Sequence, residues 1–378
     1  MPSRRALLHR VPARHPGDAA AVAALFDDGR LRAEEVVAIL GKTEGNGCVN
    51  DFTRAYAVEA LTRMLADRLA STAEAVASRV AMVMSGGTEG CLSPHFLVLA
   101  VREEAAPPNP AGALAIGTAF TAPLPPENLG RMPQARATAA AVRAAMAAAG
   151  IGDPAAVHFV QVKCPLLTSE RVAEAGSRGR AVATEDTYRS MGLSRGASAL
   201  GVALALGEVA DAALSDAAIG TDLALFSGRA SCSAGVELDR NEVVVLGNSP
   251  AWSGDLVVAH DVMADAIDLP AVHRALVAAG LPAPRAGQLG DAARDGLVAV
   301  LAKAEPASAG RIRGQRHTML DDSDINATRH ARALVGGVIA AAVGRTDLFV
   351  SGGAEHQGPD GGGPIAVVAR RVDPGSGR

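Results

Sequence analysis

Three serines head closely similar pentapeptides: Ser85-Gly86-Gly87-Thr88-Glu89, Ser233-Ala234-Gly235-Val236-Glu237 and Ser351-Gly352-Gly353-Ala354-Glu355. Upstream of each stands a lysine that closes an apolar run, Lys42, Lys163 or Lys303, and an arginine behind a hydroxyl residue, in Thr53-Arg54, Ser194-Arg195 or Thr328-Arg329. Serine beside lysine is a nucleophile with its base: a desolvated lysine crowded by other cations loses its proton readily and can take that of the hydroxyl. Arginine supplies planar donors for carbonyl or anionic oxygens. The bend after serine, bare of side chains at Gly86 and Gly87, can aim main-chain N–H groups at a developing oxyanion, an effect of about 2.7–4 kcal/mol per donor. Three such sets converging on one point form a cationic, pseudo-threefold pocket for a small flat ring with three similar oxygen-bearing edges. Hydrolysis of a cyclic amide or imide is the reaction class. A single Ser-Gly-Gly is usually only a turn, but the same three residue types recurring in the same order three times indicate a shared site. A non-catalytic metabolite-binding protein would need only the arginines and main-chain donors, leaving a lysine with every serine unexplained.

Strand and helix ends must hold these side chains. The Val-rich runs 36–40, 157–162 and 297–302 read as buried strands that end in the lysines. Thr53, Ser194 and Thr328 read as N-caps of helices running to about residues 69, 209 and 343. Each arginine then falls in a first turn, where a cation opposes the helix dipole at about 0.3–1 kcal/mol, a mismatch that a bound anionic or carbonyl ligand would explain. Runs 80–84, 223–226 and 348–350 lead into the serines, and 96–101, 242–246 and 365–368 return. The chain is thus expected to be α/β, three homologous units over residues 1–104, 112–249 and 253–378. Pro107-Pro108-Asn109-Pro110 and Asn248-Ser249-Pro250 mark the breaks. On the third helix Arg329 and Arg332 are both candidates for the inward arginine.

The 378 residues are 49% hydrophobic, ample for a large core, but only 3% aromatic, so alanine, valine and leucine must fill it. A net charge of −4 gives no electrostatic case for nucleic acid or an anionic membrane, and no run approaches a membrane span. Cys48, Cys91, Cys164 and Cys232 are scattered, which fits a reducing cytoplasm better than zinc or a disulfide framework. The alanine-rich stretch 137–149 around Arg143 reads as a surface helix. Gly41-Lys42-Thr43 resembles the end of a phosphate loop, but Val36 occupies the position of the required glycine. Glu305, Gln357, Gly358 and Pro359, near a run of three glycines, offer oxygens suited to a hard cation.

Longer motifs carry a resemblance. Gly41-Lys42-Thr43-Glu44-Gly45-Asn46-Gly47, Met84-Ser85-Gly86-Gly87-Thr88-Glu89-Gly90, Gln161-Val162-Lys163-Cys164-Pro165, Arg316-His317-Thr318-Met319-Leu320-Asp321-Asp322-Ser323-Asp324 and Ser351-Gly352-Gly353-Ala354-Glu355-His356-Gln357-Gly358-Pro359 are similar to the cyanuric acid hydrolase and barbiturase family of ring-opening amidohydrolases. The resemblance spans essentially the whole chain, and its length favours the cyanuric acid branch. It implies three units around a central β-barrel with helices outside, a homotetramer, and opening of the triazine ring to carboxybiuret, then biuret and carbon dioxide. It makes Ser233 the nucleophile and Lys163 its base. Lys42, Lys303, Ser85, Gly86, Ala234, Ser351, Gly352, Arg54, Arg195 and Arg329 would hold the ring. It implies no catalytic cofactor, but a structural magnesium or calcium near Glu305, Ala354, Gln357, Gly358, Pro359 and Gly362. Within the middle unit, Lys163-Cys164-Pro165 replaces the Lys-Thr-Glu and Lys-Ala-Glu of the others, so Lys163 is expected to lack a nearby carboxylate and to be the more easily neutral.

Overall fold

The computed structural model describes residues 3–323 and 325–371, so Asp324 of the motif above and the last residues of the third unit lie outside the described residues. A first sheet is built from β1 (Ser3–Pro12), β2 (Val36–Thr43), β3 (Ala81–Gly86) and β4 (His95–Glu104), in the order β3-β2-β4-β1. A second takes β5 (Ala113–Phe120), β6 (Val157–Pro165), β7 (Ala230–Gly235) and β8 (Glu242–Ser249), in the order β7-β6-β8-β5. The short β9 (Trp252–Ser253) joins the first sheet beside β1. The third sheet follows with β10 (Leu256–Met263) and β11 (Leu297–Ala304). After a small ribbon of β12 (Arg311–Ile312) and β13 (Gln315–Arg316), it is completed by β14 (Phe349–Gly352) and β15 (Gly363–Arg370), in the order β14-β11-β15-β10. In all three sheets the lysine strand runs parallel to the serine strand and antiparallel to the return strand. Even the register slip recurs, at Val36/Ala38, Val157/Phe159 and Leu297/Ala299.

Each sheet has a strand absent from the sequence reading, namely β1, β5 and β10. β1 and β10 are mixed in burial, and β1 carries Arg4, Arg5 and Arg10 at part-exposed positions, so neither forms a solid apolar run; β5 begins with five successive buried residues from Ala113 and was not read as a strand. The expected strand at 223–226 is a turn instead. Asp222 accepts the N–H of Ala224 through its carboxylate and that of Leu225 through its carbonyl, a local closure that competes with strand pairing. Among the described residues the strands form separate sheets, and no closed hydrogen-bonded barrel is found.

Helices cover the sheets: α1 (Ala20–Asp27), α2 (Phe52–Arg68) and α3 (Ala73–Arg79) the first, α4 (Met132–Ala149), α5 (Ser169–Ser177) and α6 (Thr187–Leu206) the second, α7 (Leu269–Ala278), α8 (Asp291–Gly296) and α9 (Ala327–Val343) the third. The expected surface helix is α4, and it is half core. Ala135, Ala139, Val142, Ala145 and Ala149 fall on one face and are buried against β5 and α6. Asp51 and Asn326 cap α2 and α9 slightly upstream of Thr53 and Thr328, leaving Arg54 and Arg329 in the first turn. Arg195 departs from that pattern. Asp186 caps α6 by accepting the N–H of Arg189, so the helix starts at Thr187 and Arg195 lies in its third turn. The core between the sheets draws on all three, with Leu8, Leu40 and Leu97, Val160 and Val243, and Leu301 and Phe349 in one apolar cluster. Among the described residues no helix is long and apolar enough to cross a membrane.

Candidate active site

Lysine and serine are direct partners across the parallel strands of each sheet: Lys42 with Ser85, Lys163 with Ser233, Lys303 with Ser351. Each lysine also reaches into a neighbouring module and donates to the carbonyl just before that module's serine. Lys42 Nζ bonds Val350 O at 2.7 Å, Lys303 Nζ bonds Cys232 O at 2.8 Å, and Lys163 Nζ bonds Met84 O at 2.7 Å. The glutamate ending each pentapeptide links the modules in the same sense. Glu89 accepts from Arg332 at 2.7 and 2.8 Å, Glu355 from Arg195 at 2.6 and 2.8 Å, and Glu237 lies 3.5 Å from Arg54. First module grips third, third grips second, second grips first.

Ser85, Ser233 and Ser351 line one cavity with Gly86, Ala234, Gly352, Lys163, Arg54, Arg195 and Arg332. Its volume is about 20 Å³, room for roughly one water molecule. Lys42 and Lys303 stand directly behind, 3.3 Å from Ser85 Oγ and 3.2 Å from Ser351 Oγ. All three lysines are at most 1% exposed. Gly86 is required on steric grounds, since a β-carbon there would meet the Asp51 carboxylate at 1.6 Å. The bends differ: Gly87 and Gly353 are left-handed at φ +100° and +77°, while Gly235 is not. The Gly87 N–H is not free for an oxyanion, because it donates to Thr43 O at 2.8 Å.

Of the two arginines on α9, Arg332 borders the cavity and is 3% exposed. Arg329 donates to the same Glu89 carboxylate at 3.0 Å but is not among the cavity-lining residues. Arg332→Lys, which replaces a bidentate fork with a point charge, should therefore lower kcat/KM by about 10–100-fold. Arg329→Lys should lower it by less than about threefold, the range of most surface changes. Equal losses in steady-state assays would remove Arg332 from the site.

Burial drives the proton affinity of Lys42 well below the ordinary lysine value, with Arg332 adding to it. Lys303 is pushed down to about 7 by burial and then by the Arg195 charge. Lys163 is lowered by burial, opposed by Glu237 and helped by Arg54. Contrary to the expectation from its sequence neighbours, Lys163 has a carboxylate beside it: Glu237 Oε1 lies 2.7 Å from Nζ. The chain folds back after Ala234, bringing the carboxylate so close over Gly235 that a β-carbon there would meet it at 2.1 Å. Burial raises the proton affinity of Glu237, but Lys163 and Arg54 outweigh it and hold the carboxyl below its ordinary range. Ser233 Oγ makes its hydrogen bond to Ser351 Oγ at 2.9 Å, while Lys163 Nζ is bonded to Met84 O and paired with Glu237. Sequence reasoning passed over the three glutamates as site residues, although their recurrence at the fifth pentapeptide position was a signal.

Glu305, Ala354 and Gly358 border a separate cavity of about 380 Å³ with Asp321 and Asp360. Among the described residues no group of three or more His, Cys, Asp or Glu side chains is arranged to hold a metal. Burial, and then the Glu355 charge, push the Glu305 carboxyl up to about 7. A buried carboxylate short of counter-charge is a donor suited to a hard cation. The Gln357 side chain does not fit, because its Oε1 accepts the Cys232 N–H at 2.6 Å. Pro359 and Gly362 are bonded to each other, Gly362 N to Pro359 O at 2.8 Å, and do not border this cavity.

Comparison with known proteins identifies the family. The family described as amidohydrolase ring-opening protein matches residues 7–370. Cyanuric acid amidohydrolase of Azorhizobium caulinodans is 58% identical over 367 residues, covering 97% of this chain and 99% of that one. The crystal structure of the cyanuric acid hydrolase from A. caulinodans superposes with a TM-score of 0.90 at 57% identity, covering 98% and 100% of the two chains. A second solved cyanuric acid hydrolase gives 0.93 at 50% identity over 97% and 100%. With the family model matching nearly end to end, the chain belongs to the ring-opening amidohydrolases, hydrolases that act on a cyclic amide.

Proposed function

We propose that this protein hydrolyses cyanuric acid to carboxybiuret, which loses carbon dioxide to give biuret, in a pocket on a pseudo-threefold axis between its modules. The observation that carries the reading is the convergence of three register-locked lysine–serine pairs and three arginines on one cavity. A ring with three equivalent carbonyl edges meets one such set on each side. Ser233 attacks a ring carbonyl, and Lys163, its strand neighbour, takes the hydroxyl proton. At rest Lys163 is paired with Glu237; burial lowers its proton affinity, so loss of one proton gives the neutral base that attack requires, and Glu237 steadies the ammonium once it forms again. That proton passes to the ring nitrogen as the C–N bond breaks, and water then cleaves the Ser233 ester with Lys163 again as base. Ser85 Oγ and Ser351 Oγ are each bonded to a lysine while Ser233 Oγ is bonded to Ser351 Oγ, so the choice of Ser233 as the attacking hydroxyl rests on the family resemblance. Arg54, Arg195 and Arg332 hold ring oxygens. A structural magnesium or calcium would be held by Glu305 with the carbonyls of Ala354 and Gly358, where it would neutralise the carboxylate. Homotetrameric assembly and a cytoplasmic location belong to the same reading. Purified protein incubated with cyanuric acid should yield biuret and carbon dioxide, followed by mass spectrometry, with barbituric acid turned over far more slowly. Preferential opening of barbituric acid would move the protein to that branch, and opening of neither ring would end the proposal.

A further inference from the structure

The first and third modules meet the cavity with polar side chains and glycines: Arg54, Ser85 and Gly86 from one, Arg332, Ser351 and Gly352 from the other. Met84 also borders it, but on a strand its side chain leaves on the face opposite to that of Ser85. A β-carbon at Gly41 would meet the Met84 sulfur there at 2.5 Å. Among the described residues, apolar side chains reach the cavity from the middle module, at Met191 and Ala234.

Met191 owes its place to where α6 begins. Asp186 caps that helix, so two turns precede Arg195, whereas Arg54 lies in the first turn of α2. Met191 stands four residues ahead of Arg195 and so shares its face, and both border the cavity. Hydrogen bonds on either side hold it there. Ser190 Oγ accepts the Leu167 N–H at 3.0 Å, and Ser194 Oγ donates to Pro165 O at 2.5 Å, where the chain leaves β6. Met191 is buried and joins the apolar cluster between the sheets.

We infer that Met191 is a specificity-determining residue: its side chain is the apolar wall of the ring pocket and sets the largest alkyl group that a ring nitrogen can carry. This rests on the reading of the cavity as the ring site, and on no choice of attacking serine. A ring alkylated on one nitrogen has one edge without a hydrogen-bond donor. Turning that edge toward Arg54 or Arg332 would bury a guanidinium against hydrocarbon, so the substituent falls to the corner of Met191 and Ala234. One methylene too many in an apolar pocket costs about 10–200-fold in kcat/KM.

Cyanuric acid and N-propylisocyanuric acid, offered to the whole protein, give a ratio of kcat/KM values. Wild type should favour the unsubstituted ring by at least about 10²-fold, and Met191→Ala should narrow that ratio at least about tenfold. Met191→Leu, close to methionine in volume, should leave the ratio within about threefold. Met146→Ala removes a buried methionine of α4 that does not border the cavity, and should leave the ratio within about twofold. If Met191→Ala fails to fold, Met191→Val carries the comparison with the same sign. A ratio unmoved in the smaller variant overturns the inference, as does an equal shift in Met146→Ala or a wild type indifferent to the propyl group. A protein that opens barbituric acid instead receives the same test with N-propylbarbituric acid, and only the substrate assignment falls. Where neither ring is opened, thermal unfolding with N-propylisocyanuric acid becomes the readout. Greater stabilisation of Met191→Ala than of wild type supports the wall, and no difference overturns it.

Discussion

Ser233→Ala is expected to fold normally and to lose ring opening by at least about 10⁴-fold, the scale seen when a nucleophile that works as a unit with its base is removed. The substitution deletes one oxygen from a 6%-exposed side chain whose hydrogen bond is to Ser351, so thermal unfolding should move little. Ser85→Ala should keep measurable turnover, because on the proposed reading that hydroxyl only holds the ring. The two effects would separate in kinetics, with Ser233→Ala losing kcat and Ser85→Ala mainly raising KM. An active Ser233→Ala beside a dead Ser85→Ala would reverse the roles of the first and second modules.

The second large effect is expected at Glu237. Its side chain is 4% exposed and lies between two buried cations, 2.7 Å from Lys163 and 3.5 Å from Arg54. Glu237→Gln keeps the shape and removes the charge, leaving both cations without this partner, at a cost of about 3–5 kcal/mol in stability. Activity should fall as well, since the ammonium formed during attack loses its counter-charge. The pH dependence follows from the sign of the shift. The folded carboxyl titrates below the unfolded value of about 4.3, so its contribution is present above that pH and is lost as pH falls through the lower, folded value. Urea unfolding of wild type and variant at pH 7 should therefore differ by several kcal/mol and converge on acidification. A difference under about 1 kcal/mol at pH 7, the range of an exposed pair, would show that Glu237 does not hold the two cations.

Much of this site was legible because repetition makes weak local signals add. The lysine strands read as Val-rich runs and the recurring pentapeptide marked the serines, although the strand into Ser233 was expected at 223–226 and lies at Ala230–Gly235. What escaped depended on contacts distant in sequence. Arg195 looked like a first-turn residue because Ser194 is a plausible cap, yet Asp186 upstream captures the N–H of Arg189 and starts the helix earlier. Lys163 seemed to lack a carboxylate because its immediate neighbours are Cys164 and Pro165, whereas its partner Glu237 arrives from beyond the adjacent strand. The choice between Arg329 and Arg332 turned on which rotation of α9 faces the cavity, and a spacing of three residues leaves that open. The strands β1 and β10 were missed because their polar positions face partly outward.

The links by which each module grips the next return to their start: Lys42 and Glu89 of the first module hold Val350 and Arg332 of the third. An association of three identical subunits could close in the same way, but every corner would then carry the same residues and could only attack and hold alike. Joining the copies in one chain removes that constraint. Each corner has its own coding sequence, so Ala234 can stand where Gly86 and Gly352 stand elsewhere, and Cys164-Pro165 can replace a Thr-Glu or Ala-Glu pair, without disturbing the other two. A nearly symmetric ring can thus be met by an enclosure whose walls have specialised, so that which bond breaks is decided by the protein even where the three edges of the ring are alike.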